Sequence, residues 1–295
     1  MGKTAIQWTD FTFNGWVGCQ RVSPGCEHCY AEAYDKRVGG LPKAQRKDPN
    51  VQELRWGPKA PRVRTSDANW RKPFQWDNAA LQANVAADIA GRPRPARPRV
   101  FCSSLADVFE DRPELEEWRN ALFGVIASTP HLDWQLLTKR PENLAKMNFR
   151  NVLGAPWDWP ANVWLGTTAE NQEWLIKRLK PLLEGSADAP VRFISYEPAL
   201  GRIDPYFFEM AALDWVIVGG ESGPGARPFN LDWARSIVDW GKQTNTAVFV
   251  KQIGENPYDE STGWLDRIEY KDRHGGDPAE WPVELRVRQF PEVRR

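Results

Sequence analysis

Three of the chain's four cysteines fall within eleven positions, in the stretch CQRVSPGCEHC, spaced Cys-x6-Cys-x2-Cys as Cys19, Cys26 and Cys29. Three thiolates on one short loop suit a soft metal centre, either zinc or an iron–sulfur cluster. A three-thiolate [4Fe–4S] cluster would leave one iron without a protein ligand and open to a small molecule. Zinc would need a fourth ligand. The local candidate is His28, but it adjoins Cys29, and adjacent residues rarely reach one ion together, so a distant residue could serve instead. The bland alternative is three reduced cysteines on a packed loop turned by Pro24 and Gly25. Cys102 stands inside an apolar run and reads as a core thiol.

A second group of candidates follows from where apolar runs end. Such runs recur at 99–104, 133–138, 162–168, 191–198, 214–222 and 247–252, with helical patterns at 114–128, 141–147, 170–183 and 232–243. Alternating buried strands and helices imply a parallel sheet. With a first strand over 4–17 the count is seven, enough for a complete or partial TIM-like (βα) barrel. Ligands in such folds bind at the C-terminal strand ends. Those ends carry the cysteine loop, Ser103, Ser104 and Asp107, Lys139 and Arg140, Thr168, Glu197, Glu221 and Ser222, and Lys251. Glu197, Glu221 and Lys251 are the catalytic candidates. A carboxylate ending a buried strand can accept from a ribose or hold an amino group, and two such acids also suit a non-redox glycoside or nucleoside hydrolase with a structural zinc loop. Lys139, Arg140 and Arg227 would hold a carboxylate or phosphate, or else form salt bridges at the rim.

Lys and Arg balance Asp and Glu at 39 each, but unevenly along the chain. Residues 36–99 hold fifteen basic against five acidic side chains. Within that stretch Arg55, Trp56, Arg62, Arg64, Trp70, Arg71 and Lys72 interleave cations with aromatic rings. That composition suits a single-stranded nucleic-acid channel, DNA or RNA. It equally suits an insertion whose tryptophans pack inward while its charges face water. A helix over 78–90 interrupts the stretch. The reading is one barrel domain over 1–254 with a basic insertion at 39–98, followed by a hairpin or loop extension over 255–295. No run of eighteen apolar residues and no signal-peptide core appears, and clustered cysteines suit a reducing compartment, so a cytoplasmic protein is expected.

The stretches IQWTDFTFNGWVGCQRVSPGCEHCYAE, FCSSLADVF, LLTKRPE, VWLGTTAENQ, FISYEPALG, DWVIVGGESGPGARP and VFVKQIG, in that order, resemble the bacteriophage gene-product-thirty-seven/sixty-eight family. That family is similar to radical S-adenosylmethionine (SAM) proteins. The resemblance implies a [4Fe–4S] cluster on Cys19, Cys26 and Cys29 at the mouth of a partial barrel. It also implies SAM on the open iron, its cleavage to a 5′-deoxyadenosyl radical, and an electron donor as partner. The common radical-SAM spacing is Cys-x3-Cys-x2-Cys, whereas the first gap here is six. The Gly-Gly-Glu that contacts SAM usually follows the second strand, where this chain reads CSSLAD; its own Gly219-Gly220-Glu221 comes much later. Asp107, Glu197 and Glu221 are therefore candidates for SAM contact by position alone. The expected function is a radical-SAM-like enzyme acting on a nucleic acid or nucleotide. A hydrolase or a non-catalytic nucleic-acid-binding protein stands as the alternative.

Overall fold

The computed structural model describes residues 4–48, 50, 52–147, 159–262 and 267–293. Its strands are β1 (Phe11–Thr12), β2 (Trp16–Val17), β3 (Val63–Arg64), β4 (Arg99–Cys102), β5 (Asp133–Thr138), β6 (Val163–Thr168), β7 (Val191–Tyr196), β8 (Trp215–Gly219), β9 (Phe229–Asn230), β10 (Ala247–Gln252) and β11 (Pro257–Tyr258). The helices are α1 (Tyr30–Arg37), α2 (Asp67–Trp70), α3 (Lys72–Ile89), α4 (Glu116–Ala127), α5 (Gln172–Gly185) and α6 (Leu231–Thr244). Seven strands form one sheet in the order β1-β4-β5-β6-β7-β8-β10. The β1–β4, β4–β5, β7–β8 and β8–β10 pairs are parallel. The fold is thus α/β, and a parallel sheet laid down in chain order is compatible with a partial (βα) barrel. β6 and β8 are buried at every position, as strands of a parallel sheet covered on both faces must be.

The chain divides into two compact units, Met1–Leu137 with Met147–Trp164, and Thr138–Lys146 with Leu165–Arg295. The core of the first is aromatic: Phe13 meets Trp70 and Trp134 edge-on, and Phe11 stacks on Trp76 at 4.5 Å. In the second, Trp215 packs against Phe193, Phe249 and Phe290. Gly166 of β6 lies against the Phe193 ring, where any side chain would collide with it. Asn171 caps α5 by accepting from Trp174 N, and Asn230 caps α6 by accepting from Asp232 N.

Three sequence expectations are corrected. The strand over 4–17 is two short strands with different partners: β1 joins β4, whereas β2 runs antiparallel to β3. The break falls at Asn14–Gly15. Asn14 turns its side chain to accept from Leu105 N and donate to Ser104 Oγ, and Gly15 gives way to Trp70, whose ring a Cβ would approach to 2.9 Å. Cys19 therefore follows β2 and not a strand of the large sheet. The helix over 141–147 is only a 3₁₀ turn, Pro141–Asn143. The chain then brings Leu144 against Gly185 of α5, within reach of any Cβ added there. The helix expected over 78–90 begins earlier, with Pro73 in its first turn.

Of the hairpin or loop expected beyond 254, residues 263–266 lie outside the described residues; β11 pairs in parallel with β9. Farther on the chain runs antiparallel beside β10, where Val250 N donates to Val287 O and Gln289 N donates to Val248 O. Arg235 of α6 ties this region down, binding both oxygens of Asp259 at 2.8 Å and reaching Glu284 at 3.0 Å. The hydrogen bonds from Arg235 are the main reason the Asp259 carboxyl sits at about 2. That folded value lies below the unfolded one of about 3.9, so the clamp stabilises fully above pH ~4 and weakens as pH falls towards about 2. In urea titrations the stability gap between wild type and Asp259→Asn is expected to be constant above pH ~5 and to close on acidification. A gap independent of pH would refute the clamp. Among the described residues no helix is long and apolar enough to cross a membrane.

Candidate functional site

The cysteine loop is built by the first unit. Gly18 precedes Cys19 with φ +121°, and a Cβ there would stand 2.6 Å from Arg55 O, so the approach to Cys19 requires glycine. Gly18 N donates to Leu105 O, and Gly57 N donates to Cys19 O, which sets Trp56 beside Cys19. Cys26 closes a 3₁₀ turn, Pro24–Cys26, and Cys29 is the N-cap residue of α1. Cys26 is buried, Cys19 and Cys29 are half-buried, and none of the four cysteines is in a disulfide. Arg21 lies close enough to sense the thiols. Its guanidinium is held above its ordinary value, first by hydrogen bonding to Glu32 against the effect of burial, with Cys26 and Cys29 adding to the rise.

Among the described residues, no three His, Cys, Asp or Glu side chains are gathered as metal ligands. Cys19, Cys26 and Cys29 are brought together by their loop, not by converging sulfur atoms. The donor set nonetheless fits a cluster chemically: three soft thiols on one short loop beside a cation.

The Ser103–Asp107 segment adjoins this loop. Tyr30 Oη donates to Ser104 O at 2.9 Å, and Asn14 holds both Ser104 Oγ and Leu105 N. Ser103 and Asp107 are buried, and Asp107 Oδ1 accepts from Phe109 N. Cys102, ending β4, is fully buried, and burial pushes its thiol up to about 12, as a core position requires.

The other strand-end candidates lie in the second unit, where Glu170, just past the end of β6, joins Glu197 and Glu221, and each of these acids has its own cation. Glu170 is fully buried between Arg178 at 2.9 Å and Lys139 at 3.7 Å, while Arg178 also donates to Thr168 O. Glu197 lies over Gly219, with Lys251 Nζ 2.9 Å from Oε1; this is near enough for an ion pair but off the direction of a hydrogen bond. Ser195 Oγ donates to the other oxygen at 3.3 Å. Glu221 receives Arg227 through both carboxylate oxygens, at 2.6 and 3.0 Å, and also accepts Arg227 N. Ser222 beside it is exposed. Arg140 is buried.

Comparison with known proteins adds one finding. Residues 3–278 match the family model described as "Protein of unknown function (DUF5131)". The chain belongs to this family. Neither a curated protein nor a solved structure matches it.

In this DUF5131 protein part of the basic stretch is structural, while ten of its fifteen cations stay exposed. Arg62 has no exposed side-chain surface and forks onto Glu110 at 2.7 and 2.6 Å, with its remaining donors on the carbonyls of Arg55, Gly57 and Ala60. It is a core ion pair, not a phosphate contact. Trp70 is buried and donates to Gly15 O, and Arg64 covers its ring while pairing with Asp67. Arg55 is bound to Asp35, and Trp56 is half-buried. Arg71 and Lys72 are exposed. Sequence reasoning passed over Asn14, Gly18, Arg21 and Glu110, which shape the cysteine loop and its neighbour. Only Asn14 carried a usable signal, as half of an Asn-Gly pair.

Proposed function

We propose that this protein is an iron–sulfur enzyme of the radical-SAM type that acts on a nucleic acid or nucleotide. Cys19, Cys26 and Cys29 would hold a [4Fe–4S] cluster. One observation carries the reading: three undisulfided thiols share a loop that is hydrogen-bonded to the Ser103–Asp107 segment. When bound, the cluster would supply the electron that cleaves SAM, and a reducing partner would have to replenish it. The chain's own part is to position. Gly18 and Gly57 fix the start of the loop, Tyr30 ties α1 to Ser104, and Arg21 supplies positive charge beside the sulfurs. Ser103, Ser104 and Asp107 are the candidates nearest to the cysteines for contacting SAM.

The two-carboxylate hydrolase gains no support. Both oxygens of Glu221 are occupied by Arg227, and Glu197 faces Lys251, so each acid is held by a cation of its own. Electron paramagnetic resonance of the anaerobically reconstituted, dithionite-reduced protein tests the proposal. A [4Fe–4S] signal that shifts on adding SAM is expected. Tightly bound zinc with no cluster signal would overturn the reading in favour of a structural metal.

A further inference from the structure

Helix α1 reverses the usual sidedness of a surface helix. Its buried positions are Ala31, Glu32 and Asp35, whereas Tyr30 and Tyr34 are 62% and 39% exposed. Residues 30, 33, 34, 37 and 38 recur at helical spacing, so Tyr30, Tyr34 and Arg37 share one outward face. Burying two carboxylates is unfavourable unless each is paired, and both are. Glu32 meets Arg21 at 2.8 Å and Lys36 at 2.9 Å, and Asp35 meets Arg55 at 2.5 Å. The helix thus draws its acids inward, neutralises them, and leaves aromatic rings and cations outside. The Arg37 guanidinium lies 5.5 Å from the centre of the Tyr34 ring, and Lys36, Lys43 and Lys47 are exposed. Glu27, in the loop before the helix, is the exposed acid nearest in sequence. Of the tryptophans that composition had offered for stacking, Trp70 is buried and Trp56 is half-buried.

We infer that this face of α1 is a stacking platform for single-stranded nucleic acid, with Tyr30 and Tyr34 beneath successive bases and Arg37 towards the phosphates. Exposed rings at one-turn spacing, flanked by cations and stripped of acids, match what unpaired bases on a charged backbone need. The platform adjoins Cys29, so a strand lying on it passes beside the cysteine loop. This rests on the nucleic-acid half of the proposed function and moves the binding surface from 55–72 to α1.

Fluorescence anisotropy with short labelled oligo(dT) and oligo(U) at low and raised salt tests it. Tyr30→Ala and Tyr34→Ala are each expected to weaken binding ~5-fold or more. Tyr30→Phe, which keeps the ring but loses the bond to Ser104 O, is expected to bind as wild type does. Thermal melts check that each variant folds. A preference for one oligomer identifies DNA or RNA as the ligand. Wild type binding neither at low salt would overturn both the platform and the substrate half of the function. Wild-type binding that survives both alanine variants would overturn the platform alone. Equal losses in Tyr30→Phe and Tyr30→Ala would reduce Tyr30 to a tether.

Discussion

Alanine at Cys19, Cys26 or Cys29 is expected to abolish retention of iron and sulfide after anaerobic reconstitution, while Cys102→Ala leaves both unchanged. The contrast follows from thiolate chemistry. A cluster ligand must ionise; Cys26 and Cys29 lie near Arg21, and Cys29 opens α1, whereas burial holds the Cys102 thiol at about 12. A three-cysteine site also has no spare protein ligand, so each single loss removes a third of its anchorage. Iron and acid-labile sulfide assays on the four variants decide the matter. Retention of a full cluster in any loop variant would refute the assignment. His28→Ala separates the metals further: it should leave iron untouched, and loss of bound zinc in that variant would point to a structural zinc site.

The largest effect on stability is expected at Glu110. Its carboxylate receives both fork nitrogens of Arg62, and neither side chain touches water. Removing one partner of such a pair leaves an uncompensated buried charge and costs about 3–5 kcal/mol. Glu110→Ala should therefore shift the urea midpoint far more than Arg94→Ala, which breaks a solvent-screened surface pair with Asp88. Joint replacement, Arg62→Met with Glu110→Leu, should recover most of the loss. Equal midpoints for Glu110→Ala and Arg94→Ala would show that the buried pair does not hold the segment in place.

The regular half of the fold was legible because its signals are local. Six apolar runs gave strands whose limits differ by a few residues, and the helices between them were found wherever amphipathic spacing lasted three turns, as in α4, α5 and α6. The segment at 141–147 was too short for that signal, and a contact with Gly185 decided its shape instead. The strand at 4–17 misled because its aromatic composition outweighed the Asn14-Gly15 pair that breaks it. The cysteine spacing was visible at once, yet the neighbours that shape the loop were not. Arg62 read as a solvent-facing cation because its partner lies 48 residues away, and nothing local marks an arginine for burial. The two exposed tyrosines of α1 were passed over for a related reason. Composition draws the eye to tryptophans, and only burial tells which rings remain outside.

The strand of backbone laid beside β10 has a consequence for handling the protein. β10 ends the order of the seven-stranded sheet, and an uncovered edge offers a row of unsatisfied amides and carbonyls to any other chain. Residues 287–289 occupy that row through Val248 and Val250, and Phe290 covers Phe249 and Trp215 beside it. A chain cut back past this point would present an adhesive, apolar border, prone to recruit neighbouring copies into insoluble assemblies.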